Sequence, residues 1–170
     1  WYQAHGISGA IKPKLFTLLP PIEIPKRTYV SVPMSIIHAG GRPTFRDEEW
    51  SGYYELRPLQ VWDSARYFSA DMWHTISCAG MREPMICLSF HASKTLGDTP
   101  GGAILHDDPE ADKWLRRARF DGRTEGVPPD QDHFDMVGWH CYLSPDVEVM
   151  AFRALGRVCS ACFDFDLTSS

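Results

Sequence analysis

Residues 89–110 read SFHASKTLGDTPGGAILHDDPE. A compact apolar run at residues 85–90 ends in this stretch, and a single lysine, Lys94, follows it. A second apolar run at residues 102–106 comes after a Gly-Gly pair. Because the connection between the runs is rich in Thr, Gly, Asp and Pro, it predicts a loop between two strands rather than a helix. A single amine at the end of a strand does not by itself indicate a reaction, because its chemistry depends on the ligand that binds beside it.

Helices and strands are predicted to alternate on both sides of this stretch. Residues 107–110, DDPE, are typical of a helix start, with Asp as the N-cap and Pro at the first helical position. Residues 30–39 are predicted to form a mostly buried helix, and a second cap-plus-Pro start lies at Ser144 and Pro145. A further short strand, residues 59–62, ends at Asp63. The pattern predicts an α/β fold with mixed strand directions.

Composition limits the function classes. The 170 residues predict one domain over 1–170, since a domain usually has ~100–200 residues. A net charge of −5 argues against nucleic acid as a partner. The chain begins WYQAHGISGA without an initiator Met, so a trimmed start is expected. The same stretch contains neither a signal peptide nor a long apolar segment, so a cytoplasmic location and no membrane span are expected.

The five cysteines are an odd number and favour reduced thiols. Cys159 and Cys162 form a lone CxxC pair without a second pair or a histidine at ligand spacing. No metal site is therefore predicted. The histidines outside the motif described below, including His91 and His106, are expected to be structural or surface residues.

Two predicted strands deliver polar side chains at their ends. Residues 59–62 lead to Asp63, and residues 85–90 lead to Ser89 and Lys94. Open α/β sheets bind ligands at strand ends, which makes these residues candidates for a cofactor site. By spacing alone, the alternative interpretation is a buried salt bridge between Asp63 and Lys94.

Four segments, in the same order, resemble the sugar aminotransferases of the DegT/DnrJ/EryC1/StrS family, which are fold type I pyridoxal-phosphate enzymes. These segments are RTYVSVPMSIIHAGGRPTF, VWDSARYF, SFHASKTLG with GGAILHDDPE, and GWHCYLSP. The resemblance implies a three-layer α/β sandwich with a mixed, mostly parallel sheet. That fold would be the large domain of such transferases in incomplete or compact form, with the small C-terminal domain mostly absent.

The resemblance also implies roles for individual residues. Lys94 is similar to the lysine that holds the aldehyde of pyridoxal 5'-phosphate as a Schiff base and then moves a proton. Asp63 is similar to the carboxylate that keeps the pyridine nitrogen protonated, so that the ring can accept electrons. Ser89 matches a serine that binds the phosphate, and Tyr29 matches an aromatic residue that stacks on the ring, although core packing is an equal alternative for Tyr29.

Further matches and two departures concern the edges of the site. The segment HGISGA, with Gly6, Ser8 and Gly9, is similar to a Gly/Ser loop that holds the phosphate at a helix N-terminus. Arg66 stands where the family has Gln beside the phenolic oxygen, where its charge would alter the proton affinity of the bound cofactor. His140 stands where the family has an Asn that reaches the phosphate of the neighbouring subunit.

The implied function is transfer of an amino group, with glutamate as the donor, to a keto-sugar nucleotide in a homodimer. Two alternatives stay open. A sugar dehydratase of the same fold would carry histidine instead of lysine at position 94, so Lys94 argues against it. A catalytically impaired homologue that serves as a structural or interaction protein is favoured by the missing segments and by Arg66.

Overall fold

A computed structural model describes residues 20–77, 84–96, 100–141 and 143–163 of the chain. In chain order the elements are β1 (Ile22–Pro25), α1 (Ser31–His38), β2 (Pro43–Arg46), β3 (Tyr54–Leu56), β4 (Val61–Asp63), α2 (Met72–Ser77), β5 (Met85–Ser89), β6 (Gly102–Leu105), α3 (Pro109–Arg119) and α4 (Pro145–Phe163). The fold is therefore mixed α/β, as the sequence pattern predicts.

The described strands form two sheets. Strands β1 and β2 pair in parallel, and β3, β4, β5 and β6 form a second sheet in that order. In the second sheet β4 and β5 are parallel, whereas the two outer pairings are antiparallel. The sheet is mixed, as expected, but parallel pairing does not predominate among the described strands. Strands β3 and β4 are joined by only four residues, 57–60, which suits an antiparallel pair.

Apolar side chains on one face of the four-stranded sheet build the larger core. Strand β5 alternates between buried and half-buried residues, so Ile86 and Leu88 face the core and Cys87 and Ser89 face the other way. Helix α2 covers this core face with Met72 and Ile76. A second cluster joins β1, α1 and β3 through Ile22, Ile24, Ile36 and Tyr54.

Three details differ from the sequence prediction. The helix expected at 30–39 is present as α1, but only Ser35 and Ile36 are buried in it, while Met34 and Ile37 remain exposed. The strand expected at 59–62 begins at Val61, because Leu59 and Gln60 complete the turn from β3. Strands β1 and β3 and helix α2 were not predicted, since their apolar runs are too short to give a clear period.

Helix α3 begins as the sequence predicts. The side chain of Asp108 accepts hydrogen bonds from the backbone N–H groups of Glu110 and Ala111 at 2.8 and 3.1 Å. Pro109 occupies the first helical turn, where its missing N–H costs no hydrogen bond. Ala111 and Ala118 form the buried stripe of the helix. None of the helices in the described part of the chain is long and apolar enough to cross a membrane.

We expect Asp108→Ala to lower the free energy of unfolding by about 1 kcal/mol, because it removes the N-cap of α3. Asp107→Ala is the matched control, since Asp107 is the exposed neighbour and makes no cap contact with the helix. Urea denaturation followed by circular dichroism measures both. Equal losses in the two variants would contradict the assignment of Asp108 as the cap.

Candidate functional site

One cleft, with a volume of about 1070 Å³, brings together most of the predicted site residues that the structure describes. Tyr29, Asp63, Ser89, Lys94 and His140 all line it. They come from the start of α1, the ends of β4 and β5, the loop after β5 and the segment before α4. Residues more than 100 positions apart in the chain therefore share one cavity.

The parallel pairing of β4 and β5 explains why Asp63 and Ser89 lie near each other. Both are the last residues of their strands, and parallel strands end at the same edge of a sheet. Asp63 pairs with Cys87, which shares a sheet face with Ser89 because side chains alternate. Gly102 lies directly across from Ser89 and has no side chain. Both Ser89 and Gly102 line the cleft, and the Ser89 hydroxyl accepts a hydrogen bond from the backbone N–H of His91 at 3.4 Å.

The lysine loop is tied to the aspartate loop by backbone and side-chain hydrogen bonds. The N–H of Lys94 donates to the carbonyl of His91 at 2.8 Å, which closes a turn. The hydroxyl of Thr95 donates to the carbonyl of Arg66 at 2.9 Å. The half-buried Lys94 ammonium lies 5.9 Å from the centroid of the Tyr29 ring. These contacts hold the amine over the same cleft into which the end of β4 delivers Asp63.

Asp63 has two well-defined hydrogen-bond donors. Its Oδ2 accepts from the Tyr54 hydroxyl at 2.7 Å, and its Oδ1 accepts from the backbone N–H of Ala65 at 3.0 Å. Each carboxylate oxygen can accept a further hydrogen bond, so both donors orient the group without exhausting it. No ion pair joins Asp63 to Lys94 among the described residues. The salt-bridge reading of the two residues therefore does not describe this structure.

A row of three titratable residues crosses the sheet at the cleft. Tyr54 pairs with Asp63 on β4, and Asp63 pairs with Cys87 on β5. Burial raises the pKa of the Tyr54 phenol far above its usual range, and the charge of Asp63 raises it further. Burial likewise raises the pKa of the Cys87 thiol, with a second contribution from Asp63. Asp63 is thus flanked by two groups that stay protonated and uncharged at neutral pH.

The side chains of the cleft match the three functional parts of pyridoxal phosphate. An amine (Lys94) suits the aldehyde, a carboxylate (Asp63) suits a protonated ring nitrogen, and a hydroxyl (Ser89) suits a phosphate oxygen. Tyr29 offers an aromatic face at the same cleft, and its side chain is 70% exposed, so a ring has access to it. The residues present fit this cofactor in chemistry.

Some of the predicted site residues are not brought into the cleft. Arg66 is exposed and does not line the cavity, and its contribution is the backbone carbonyl that accepts from Thr95. The expectation that the Arg66 guanidinium lies beside the cofactor is not supported by this position. His140 does line the cleft, and its Nδ1 lies 3.0 Å from the carboxylate of Asp121. Gly6, Ser8 and Gly9 lie outside the described residues.

Sequence reasoning missed Tyr54 and Cys87. Cys87 lies in a predicted strand, but its proximity to Asp63 depends on which strand pairs with which. Tyr54 could have been found from a hairpin reading of YELRPLQVWD, in which a four-residue turn places Tyr54 opposite Asp63. Among the residues that the structure describes, no group of three or more His, Cys, Asp or Glu side chains is arranged to hold a metal ion.

Comparison with solved structures identifies the fold class. The chain aligns with a Bacillus cereus ATCC 10987 protein assigned as a PLP-dependent aminotransferase, at 15% identity and a TM-score of 0.56, covering 92% of this chain and 52% of that one. It also aligns with DesV of S. venezuelae, solved with a ketimine intermediate, at 17% identity and a TM-score of 0.61, covering 94% of this chain and 51% of DesV.

The chain therefore has the fold of PLP-dependent aminotransferases and spans about half the length of the structures it matches. No protein-family model matches it. A search of curated proteins also found no significant match. At these identities the likeness defines the fold, and the function has to be argued from the cleft.

The raised pKa of Tyr54 predicts a pH dependence of stability. Because folding raises this pKa, the folded state holds the proton more tightly, and stability falls only as the pH rises beyond the ordinary tyrosine value of about 10. We expect Tyr54→Phe to lessen the alkaline loss of stability, measured by urea denaturation between neutral and alkaline pH. Tyr53→Phe, one residue earlier, is the control. An unchanged alkaline slope in Tyr54→Phe would contradict the burial of this phenol.

Proposed function

We propose that this chain binds pyridoxal 5'-phosphate in the cleft and belongs to a PLP-dependent aminotransferase. The observation that carries the proposal is the convergence of Lys94, Asp63, Ser89 and Tyr29 on one cavity, in a chain with the fold of that enzyme class. Fold alone would not suffice, because one fold serves many functions. The chemistry of the lining residues adds the specific support.

Each residue has a distinct task in this proposal. The Nζ of Lys94 would bind the aldehyde covalently with loss of water. Once displaced by the donor amine, it would take the proton from the donor Cα and deliver it to the former aldehyde carbon of the cofactor. Asp63 would hold a proton on the ring nitrogen, Ser89 would bind the phosphate, and Tyr29 would pack on the ring face. The cofactor, when bound, supplies a protonated ring that accepts the electron pair of the broken Cα–H bond.

The electrostatics of the β3–β4–β5 row favour this use of Asp63. Tyr54 and Cys87 stay uncharged beside it, so the carboxylate contributes the negative charge of the row. A partly desolvated carboxylate attracts a pyridinium N–H more strongly than a solvated one does, because the local dielectric is lower. Asn in this position would offer no such charge. The cleft is thus suited to a cationic ring nitrogen.

The substrate proposal rests on the four sequence segments that resemble sugar aminotransferases. We propose a keto-sugar nucleotide as the acceptor and glutamate as the donor, in a cytoplasmic homodimer. The solved structure of DesV with a ketimine intermediate is compatible with amino transfer in this fold. His140 lines the cleft and is the residue proposed to take part in the contact between subunits.

Covalent trapping of the cofactor tests the role of Lys94. After incubation with pyridoxal phosphate and reduction with borohydride, peptide mass spectrometry should find the pyridoxyl group on the Lys94 peptide. Lys94→Ala should lose this label and the visible absorption of the bound cofactor. Lys113→Ala should keep both, because Lys113 is an exposed lysine of α3 paired with Glu110. Absence of label at Lys94 in the wild-type chain would overturn the proposal and favour a structural or interaction role.

A single half-reaction tests the proposed donor. The loaded chain mixed with glutamate, without an acceptor, should release 2-oxoglutarate in an amount close to that of the bound cofactor. Lys94→Ala should release at least ~100-fold less per unit time, since general acid–base groups typically contribute 10²- to 10⁴-fold to rate. Release of pyruvate from alanine, without release of 2-oxoglutarate from glutamate, would refute the donor assignment while leaving the cofactor site intact.

A further inference from the structure

The Tyr54 phenol lies at the centre of a directed hydrogen-bond chain. Its hydroxyl donates to Asp63 Oδ2 at 2.7 Å and also makes a hydrogen bond with Thr28 Oγ1. A phenol carries one proton and a carboxylate can only accept. The Tyr54 proton therefore points to Asp63, and the Thr28 hydroxyl donates to the phenolic oxygen. This hydrogen-bond chain runs from Thr28 through Tyr54 to Asp63.

Packing fixes the position of this phenol. Tyr54 is 3% exposed and lies directly across from Asp63 in the β3–β4 pair. Its ring meets the Trp50 ring edge-on, with centroids 4.7 Å apart. The Trp50 indole N–H donates in turn to the carbonyl of Arg27 at 2.8 Å. A buried ring held in this way has little rotamer freedom, so its hydroxyl is a fixed donor for the carboxylate.

The hydrogen-bond chain also leads to Tyr29, the residue proposed to pack on the cofactor ring. Thr28 immediately precedes Tyr29, whose carbonyl accepts from the N–H of Val32 at 3.0 Å at the start of α1. One phenol thus joins the segment that carries Tyr29 to the strand end that carries Asp63. Lys94 and Ser89 belong to a different loop and strand end and have no hydrogen bond to Tyr54 in the described structure.

We propose that Tyr54 is a positioning residue that holds the Asp63 carboxylate toward the ring nitrogen of pyridoxal phosphate, and that the Thr28 hydroxyl completes this arrangement. The inference rests on the proposed function. It concerns one atom of the cofactor, because the Tyr54 hydroxyl donates its one proton to Asp63, which would face the ring nitrogen. Loss of the phenol should weaken recognition of the nitrogen and leave recognition of the aldehyde and the phosphate in place.

A pair of ligands isolates that atom. Pyridoxal phosphate and its deaza analogue, in which C–H replaces the ring nitrogen, differ only at the position that Asp63 would face. Dissociation constants for both, measured by quenching of tryptophan fluorescence, give an affinity ratio for each variant. The wild-type chain should prefer pyridoxal phosphate. In Tyr54→Phe this preference should fall about threefold to tenfold, the range expected for the net loss of one intramolecular hydrogen bond.

Tyr53→Phe is the matched control, because the Tyr53 ring packs against Trp62 and Tyr67 rather than facing Asp63. It should keep the wild-type ratio. A general loss of folding would lower both affinities together and leave the ratio unchanged, so the ratio separates positioning from a merely structural role. Circular dichroism melts establish that each variant is folded at the temperature of the measurement.

Two results would overturn the inference in distinguishable ways. A wild-type ratio of one would mean that Asp63 does not recognise the ring nitrogen, and the proposed function would lose that interaction as well. A wild-type preference that persists in Tyr54→Phe would refute the role of Tyr54 and leave the proposed function standing. Should Tyr54→Phe not fold, Thr28→Val must lower the ratio and Thr28→Ser must preserve it. Equal affinity ratios in Thr28→Val and Thr28→Ser would refute the role of the hydrogen bond between Thr28 and Tyr54.

Discussion

The binding properties of the cleft depend on the half-buried Asp63 carboxylate, which is partly removed from water. A desolvated charge is costly unless hydrogen-bond donors replace the lost water. Tyr54 supplies one donor from the neighbouring strand, and the Ala65 N–H supplies another from the turn that follows. The Tyr54 donor depends on the register of the β3–β4 pair, whereas the Ala65 N–H lies two residues along the same segment as Asp63. A slip by one residue would move Tyr54 to the opposite face of the sheet and leave the carboxylate with one donor.

The same register explains the charge of the site. Tyr54 and Cys87 flank Asp63 across the sheet, and burial keeps both of them protonated. The negative charge is therefore confined to one side chain instead of being shared among three. A site with one fixed carboxylate between neutral neighbours suits a single cationic atom of a ligand. This electrostatic feature, more than the size of the cleft, supports the proposed binding of pyridoxal phosphate.

Strand direction brings the remaining groups to the carboxylate. Because β4 and β5 are parallel, their ends deliver Asp63 and Ser89 to one edge, and the loop after β5 carries Lys94 over it. The Thr95 hydroxyl bonded to the Arg66 carbonyl joins the two loops. The chain spans about half the length of the aminotransferase structures that it matches.

The sequence by itself determined the local elements and the candidate site residues. The Asp-Pro start of α3, the apolar runs of β5 and β6, and the candidates Asp63, Ser89 and Lys94 could all be predicted, since caps, periodicity and strand-end polar residues act over a few neighbouring positions. The mixed α/β class followed from the same patterns.

Only the tertiary structure decided which strands pair and which side chains therefore meet. Strand pairing depends on contacts between residues far apart in the chain, which no local pattern specifies. Tyr54 became part of the site through its register with Asp63, whereas Arg66 is exposed and does not line the cleft. The exposure of Met34 and Ile37 on α1 has the same cause, since burial depends on what packs against a helix and not on its own composition.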